Sequence, residues 1–125
     1  MAEGKVVGIG GLFIRSADPA ALAAWYRDHL GIAATESGQP TPEGEWVWMQ
    51  KAGPTVFAAF KADSDYFAAD RQTMLNFRVE ALDALLDRLT AAGVVISHRE
   101  SMEGVGNFAR IHDCDGNPLE LWEPS

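Results

Sequence analysis

Cysteine is almost absent from this chain. Cys114 stands alone among 125 residues, which excludes an intrachain disulfide and a cysteine-based zinc cluster. It lies in a polar turn without an activating base, so an inert thiol is expected. Positive charge is also scarce: ten Lys and Arg stand against eighteen Asp and Glu, for a formal net charge of −8 and a pI near 4.7. Such a chain repels phosphate backbones and anionic bilayers, and its basic residues are scattered, so neither nucleic acid nor a membrane is an expected partner. Long apolar runs are missing too. None approaches the roughly 20 residues that cross a bilayer, and Met1 to Lys5 lacks the basic-then-apolar layout of a secretion signal. A cytoplasmic protein is the expectation. The histidines are few, and His29, His98 and His112 match no zinc-binding spacing.

What is present is ample apolar material, 47% of residues, enough for one domain spanning 1–125. Its order repeats. Val6 to Ile14 reads as a strand and Asp18-Pro19 as an N-cap and first helical residue. Leu22, Trp25, Tyr26 and His29 form a helical stripe, which Gly31 ends. Strands are expected at 32–36, 45–50 and 55–60. Residues 61–71 hold five charges and no period, which marks a connection. Then the order begins again: a strand at 74–79, a helix carrying Leu82, Leu85, Leu86 and Leu89, and strands at 94–98, 107–112 and 119–122. Asp113 to Asn117 is a dense turn signal before the last strand. Arg15 and Arg78 recur 63 residues apart, as do Leu22 and Leu85. The expectation is an α+β fold of two βαβββ modules, at about 6–60 and 72–124. Their strands form a curved mixed sheet around a cupped pocket, with the helices outside.

Strand parity assigns faces. Leu119 and Leu121 should enter the core, so Glu120 and Trp122 share the concave side. The same count sends Phe13 and Arg15 from the first strand, and Met74, Asn76 and Arg78 from the strand at 74–79, toward the concavity. Three strands thus direct polar groups to one place. An acid between two core leucines is either tied to Arg15 or Arg78 as a structural pair or free to hold a ligand. The arginine forks suit a ligand carboxylate or phosphate, Asn76 can orient it, and Trp46, Trp48, Trp122 and Phe13 can supply flat apolar walls. His112 is a further acid/base candidate, beside the terminal turn.

Several segments together resemble a known family: Gly10-Gly11-Leu12-Phe13-Ile14 with Asp18-Pro19, Trp25-Tyr26-Arg27-Asp28-His29-Leu30-Gly31, Asn76-Phe77-Arg78-Val79 before a leucine-rich helix, and Asp113-Cys114-Asp115-Gly116-Asn117-Pro118-Leu119-Glu120-Leu121. In order and spacing they are similar to the glyoxalase / bleomycin resistance / extradiol dioxygenase group, the vicinal oxygen chelate superfamily, over roughly residues 6 to 124. The resemblance implies paired βαβββ modules, a homodimer, and in the enzymes of the group a divalent metal held from the first and last strands of each module. Carried over, those metal positions fall on Gly11, Met74, Val56 or Phe57, and Glu120. Only Glu120 offers a hard donor, and three protein ligands are usual for catalytic zinc. No cofactor is therefore expected, and a divalent metal is disfavoured.

The leading expectation is a glyoxalase/bleomycin resistance-like protein that binds a small organic molecule in its cup without a catalytic metal. Glu120, Arg15, Arg78 and Asn76 would be its polar anchors, and Phe13, Trp46, Trp48, Met74 and Trp122 its lining. The alternative is a glyoxalase-type lyase or isomerase in which Glu120 moves a proton, with or without a divalent metal. A third reading is a dimeric interaction domain whose cup its own side chains fill.

Overall fold

The computed structural model describes residues 3–125. Helix α1, Pro19–Leu30, starts where the sequence places it: the Asp18 carboxylate accepts from the Ala21 N–H at 3.1 Å, and Pro19 needs no donor partner in the first turn. Gly31 ends it in the left-handed region (φ 66°), and its N–H returns to the Arg27 carbonyl. Leu22, Ala23 and Tyr26 are the buried face.

The second half forms a complete βαβββ unit. Strand β1 is Leu75–Arg78, helix α2 Leu82–Ala91, β2 His98–Met102, β3 Gly106–His112 and β4 Pro118–Pro124. The sheet order is β1-β4-β3-β2, with β1 parallel to β4 and the two hairpins antiparallel. Helix α2 has no side-chain cap of its own, and Ala81 before it takes a positive φ of 52°. The carboxylate of Glu123 at the end of β4 fills that role, accepting from the Ala81 and Leu82 N–H groups at 3.1 and 3.4 Å. Leu82, Leu86 and Leu89 from α2 meet Ala109, Ile111, Leu119 and Leu121 from the sheet, and Leu22 and Tyr26 from α1 join the same core. Full burial of each leucine contributes about 1.5–3 kcal/mol.

The turn from Asp113 to Asn117 is held by one carboxylate. Asp113, only 5% exposed, accepts from the Asp115 and Asn117 N–H groups, from the Asn117 amide, and from the Tyr26 hydroxyl at 2.6 Å. Tyr26 thereby fastens α1 to the terminal hairpin. Burial and the neighbouring Asp113 carboxylate push its phenol well above the ordinary tyrosine range.

Two strand expectations need correction. The strand placed at 94–98 runs instead from His98 to Met102. Pairing with β3 sets its position, Met102 opposite Gly106 and His98 opposite Arg110, whereas the apolar residues Val94 and Ile96 pack on the core ahead of it. The larger correction concerns the first half. Among the described residues, the stretches 6–14, 32–36, 45–50 and 55–60 carry no sheet ladder. Apolar patterning shows which residues suit a strand, but a ladder needs a free neighbouring edge, and the sheet takes none of these segments as a neighbour. The apolar side chains of 6–14, 45–50 and 55–60 consequently face solvent, with Val6, Phe13 and Phe57 more than nine-tenths exposed, whereas Ile32 and Ala34 pack against the core without a ladder.

Candidate functional site

Sheet register builds the site. Asn76 on β1 is opposite Glu120 on β4, Glu120 is opposite Arg110 on β3, and Arg110 is opposite His98 on β2. The flanking rows, with Leu119 and Leu121, point to the helices and the core, so this row points the other way. Glu120 is 8% exposed. Its Oε1 accepts from the Asn76 amide at 2.8 Å, its Oε2 accepts from the Tyr66 hydroxyl, and the Arg110 guanidinium stands 3.9 Å from Oε2. The burial of this carboxyl group is thus offset by two hydrogen-bond donors and a nearby cation.

Tyr66 and Arg110 hold each other as well. Arg110 donates from Nη1 to the Tyr66 carbonyl at 3.0 Å, and its guanidinium carbon lies 5.0 Å from the centre of the Tyr66 ring. The Nε of Arg110 is buried without a hydrogen-bond partner among the described residues. Desolvation, then the bond to Glu120, push the Tyr66 phenol up to about 12. Next along the same face, Trp122 on β4 stacks on Phe108 of β3 with rings 6.1 Å apart and nearly parallel. The Trp122 indole N–H is satisfied by the Val105 carbonyl at 3.1 Å.

The sequence-derived residues divide accordingly. Glu120 and Asn76 meet, and Trp122 lies on their face of the sheet. Neither expected arginine pairs with Glu120. Arg78 instead donates to the Lys51 carbonyl at 2.9 Å and lies over Gly53, where any β-carbon would collide with the guanidinium. Arg15 is exposed and makes no hydrogen bond or ion pair among the described residues. Phe13 is exposed, Trp46 is largely so, and Trp48 packs edge-on against Phe77. Met74 is half-buried immediately before β1. His112 is opposite Pro118, at the end of the hairpin rather than beside Glu120.

Two members of the site escaped the sequence reading. Arg110 was legible in principle, because a hairpin that closes with His112 opposite Pro118 must set Arg110 opposite Glu120. Tyr66 carries no periodic signal, since it comes from the connection between halves. Two open grooves lie elsewhere, one of about 310 Å³ lined by Trp25, His29, Val94 and His112, the other of about 480 Å³ lined by Arg27, Glu43, Trp48 and Met49. Neither includes Glu120, and neither gathers polar groups from several strands.

A model of the glyoxalase-like domain matches residues 11–122. The chain belongs to the glyoxalase-like domain family. No curated protein matches it. Among solved structures, this glyoxalase-like chain is similar to TnmS3, an antibiotic binding protein from Streptomyces sp. CB03234, with 23% identity, a TM-score of 0.63, and 98% of this chain and 100% of that one covered. It is also similar to a glyoxylase/bleomycin resistance protein/dioxygenase domain from Frankia sp. EAN1pec, at 20% identity and a TM-score of 0.56, covering 97% and 100%. A lactoylglutathione lyase from Agrobacterium tumefaciens shares 20% identity at a TM-score of 0.53, with 85% of each chain covered. Identities this low show a common fold, on which binding proteins and enzymes both occur.

The metal of the family's enzymes does not fit these residues. No group of three or more His, Cys, Asp or Glu side chains is gathered among the described residues, and the one matching carboxylate, Glu120, has a guanidinium beside it. Among the described residues no helix is long and apolar enough to cross a membrane.

Proposed function

We propose that this glyoxalase-like protein binds a small organic molecule on the open face of its sheet, without a resident metal, using Glu120, Asn76 and Arg110 as anchors. One observation carries this reading: three neighbouring strands present Asn76, Glu120 and Arg110 in a single row, and the acid at its centre is buried. Burial of a charge costs free energy that a purely packed face would avoid, and binding faces are where such groups are retained. Antibiotic binding by TnmS3 on the same fold is in keeping with it. Arg15, Arg78, Phe13, Trp46, Trp48 and Met74 stay outside this anchor set.

The lyase or isomerase reading has less support, because the other acid/base candidate, His112, lies at the end of the hairpin opposite Pro118 rather than beside Glu120. The filled-cup reading has one observation in its favour, Tyr66 seated on Glu120. A thermal-shift screen of small organic ligands separates the two. A ligand at 100-fold excess over its dissociation constant should stabilise the protein by about 3 kcal/mol. Loss of that effect in Glu120→Ala and Asn76→Ala is expected, and a hit that binds both variants unchanged sinks the assignment.

The working form is proposed to be a cytoplasmic homodimer. Its support is the uncovered apolar surface of the first half, which includes Val6, Phe13, Val56 and Phe57 and which a second copy would remove from water. Light scattering should give twice the mass of the chain, and a monomer at all concentrations would overturn the dimer.

A further inference from the structure

Tyr66 is the most informative group on the binding face, because it is a piece of the protein lying where the proposed function places a ligand. Its hydroxyl donates to Glu120 Oε2, its ring lies under the Arg110 guanidinium at 5.0 Å, and the Phe60 ring packs against it at 5.3 Å. Glu120, Arg110 and Phe60 together meet the features of a phenol: an acceptor for the O–H, a cation over the ring face, and an apolar ring tilted against it.

The molecule contains a second phenol–carboxylate pair for comparison. Tyr26 and Asp113 are both buried, and Tyr26 belongs to a helix packed in the core. Tyr66 is 38% exposed and sits in the 61–71 connection, which is neither helix nor strand. Besides the Tyr66 hydroxyl on Glu120, the polar ties of that connection among the described residues are local turn bonds at Ser64, Tyr66 and Arg71, the Arg71–Asp70 ion pair, the Arg110 bond to the Tyr66 carbonyl, and one from Arg71 to the Asp115 carbonyl. The first pair is structural, whereas the second joins β4 to a partly exposed loop residue, whose side chain can exchange without disturbing helix or sheet.

We infer that the Glu120 face is a site for hydroxyaromatic ligands, and that Tyr66 is a built-in occupant which such a ligand displaces. The inference rests on the proposed small-molecule function and specifies its ligand class. The entering phenol donates to Glu120 as Tyr66 does, slides its ring under Arg110, and can use the uncommitted Nε–H of Arg110 for a further ligand oxygen. No bond is made or broken. Occupancy by Tyr66 lowers apparent affinity by the fraction of molecules in which the face is closed.

The test uses p-cresol, which is the side chain of tyrosine, and toluene, which lacks the hydroxyl. Both are titrated into the full chain and into Tyr66→Ala, with the Asn76 side-chain amide resonance and the melting temperature as readouts. The expected result is that Tyr66→Ala binds p-cresol at least tenfold tighter than toluene, and at least tenfold tighter than the unmodified chain binds p-cresol, with the Asn76 amide shifting on binding. Equal affinity for p-cresol and toluene, or equal p-cresol affinity with and without Tyr66, overturns the inference. Tyr66→Phe covers the case of a misfolded alanine variant: it keeps the ring, loses the hydroxyl, and should bind p-cresol at least threefold tighter than the unmodified chain, whereas unchanged affinity overturns the inference. Should p-cresol fail while a hit from the wider screen still depends on Asn76 and Glu120, the phenol inference falls and the small-molecule function stands. Should no ligand depend on them, both fall.

Discussion

The two halves of the chain each bring apolar segments and one amphipathic helix, yet they put them to different use. From Leu75 to Pro124 the strands are laddered, Leu119, Leu121 and Ile111 are fully buried, and even the charged side chains of the site have partners. From Val6 to Phe60 only α1 is regular, and Val6, Phe13 and Phe57 face water. Composition alone does not create the difference. A helix such as α1 satisfies its own backbone and needs only one face covered, so it docks by Leu22 and Tyr26 wherever a core exists. A strand satisfies nothing alone, and its stability comes from whichever edge it meets.

The contrast can be broken most directly by truncating one large apolar residue in each half. Leu119→Ala should cost about 2–5 kcal/mol in urea unfolding. Phe13→Ala should cost less than about 0.5 kcal/mol in dilute protein, with the cost growing as concentration rises and a second copy covers the face. Equal and concentration-independent losses would show that the first half is as well packed as the second.

The joint between the halves comes next. Asp113→Ala removes the acceptor of the Tyr26 hydroxyl, the Asn117 amide and two turn N–H groups, so more than about 3 kcal/mol should be lost, and α1 should loosen by hydrogen exchange before the sheet does. A uniform loss across the chain would mean that Tyr26 is not the tie.

Capping gives a smaller effect. Asp18→Ala and Glu123→Ala each remove acceptors at a helix start, α1 and α2 respectively, and each should cost about 1 kcal/mol. Because Glu123 reaches α2 from the far end of the unit, its loss should also disturb β4, while loss of Asp18 stays local to α1.

The smallest expected effect is in the pH profile. Tyr66 ionises near 12 in the folded chain against 10.0 when unperturbed. A raised pKa contributes stability that is whole below about 10 and is lost as pH climbs through about 12. Tyr66→Phe should remove part of the decline between pH 10 and 12 and leave the acid side unchanged, as followed by circular dichroism. An identical alkaline limb in the variant would place the Tyr66 proton elsewhere.

Much of this architecture can be read from residues, and its gaps are physical. Asp18-Pro19, Gly31 and the leucine stripe of α2 are local signals with local causes, and they mark the helices correctly. The parity of Leu119-Glu120-Leu121 placed Glu120 off the core face, and Asn76 joined it as that count requires. Arg78 did not, because a long side chain chooses among acceptors by tertiary context, and the Lys51 carbonyl beside Gly53 was invisible to a period-two count. Strand β2, His-Arg-Glu-Ser-Met, has no apolar pattern at all, and only its hairpin partner makes it a strand. Tyr66 was least legible of all, since where a loop residue lands depends on the path of the whole connection.

The central claim, that ligands bind at the Asn76–Glu120–Arg110 row, is most directly tested by two-dimensional NMR of the protein titrated with a ligand found by thermal shift. The prediction is that the largest shifts fall on the Asn76 side-chain amide, Tyr66, Arg110 and the amides of β4 around Glu120. Shifts confined to the groove at Arg27, Glu43 and Met49, or to the one at Trp25, His29 and His112, with the row untouched, would contradict it.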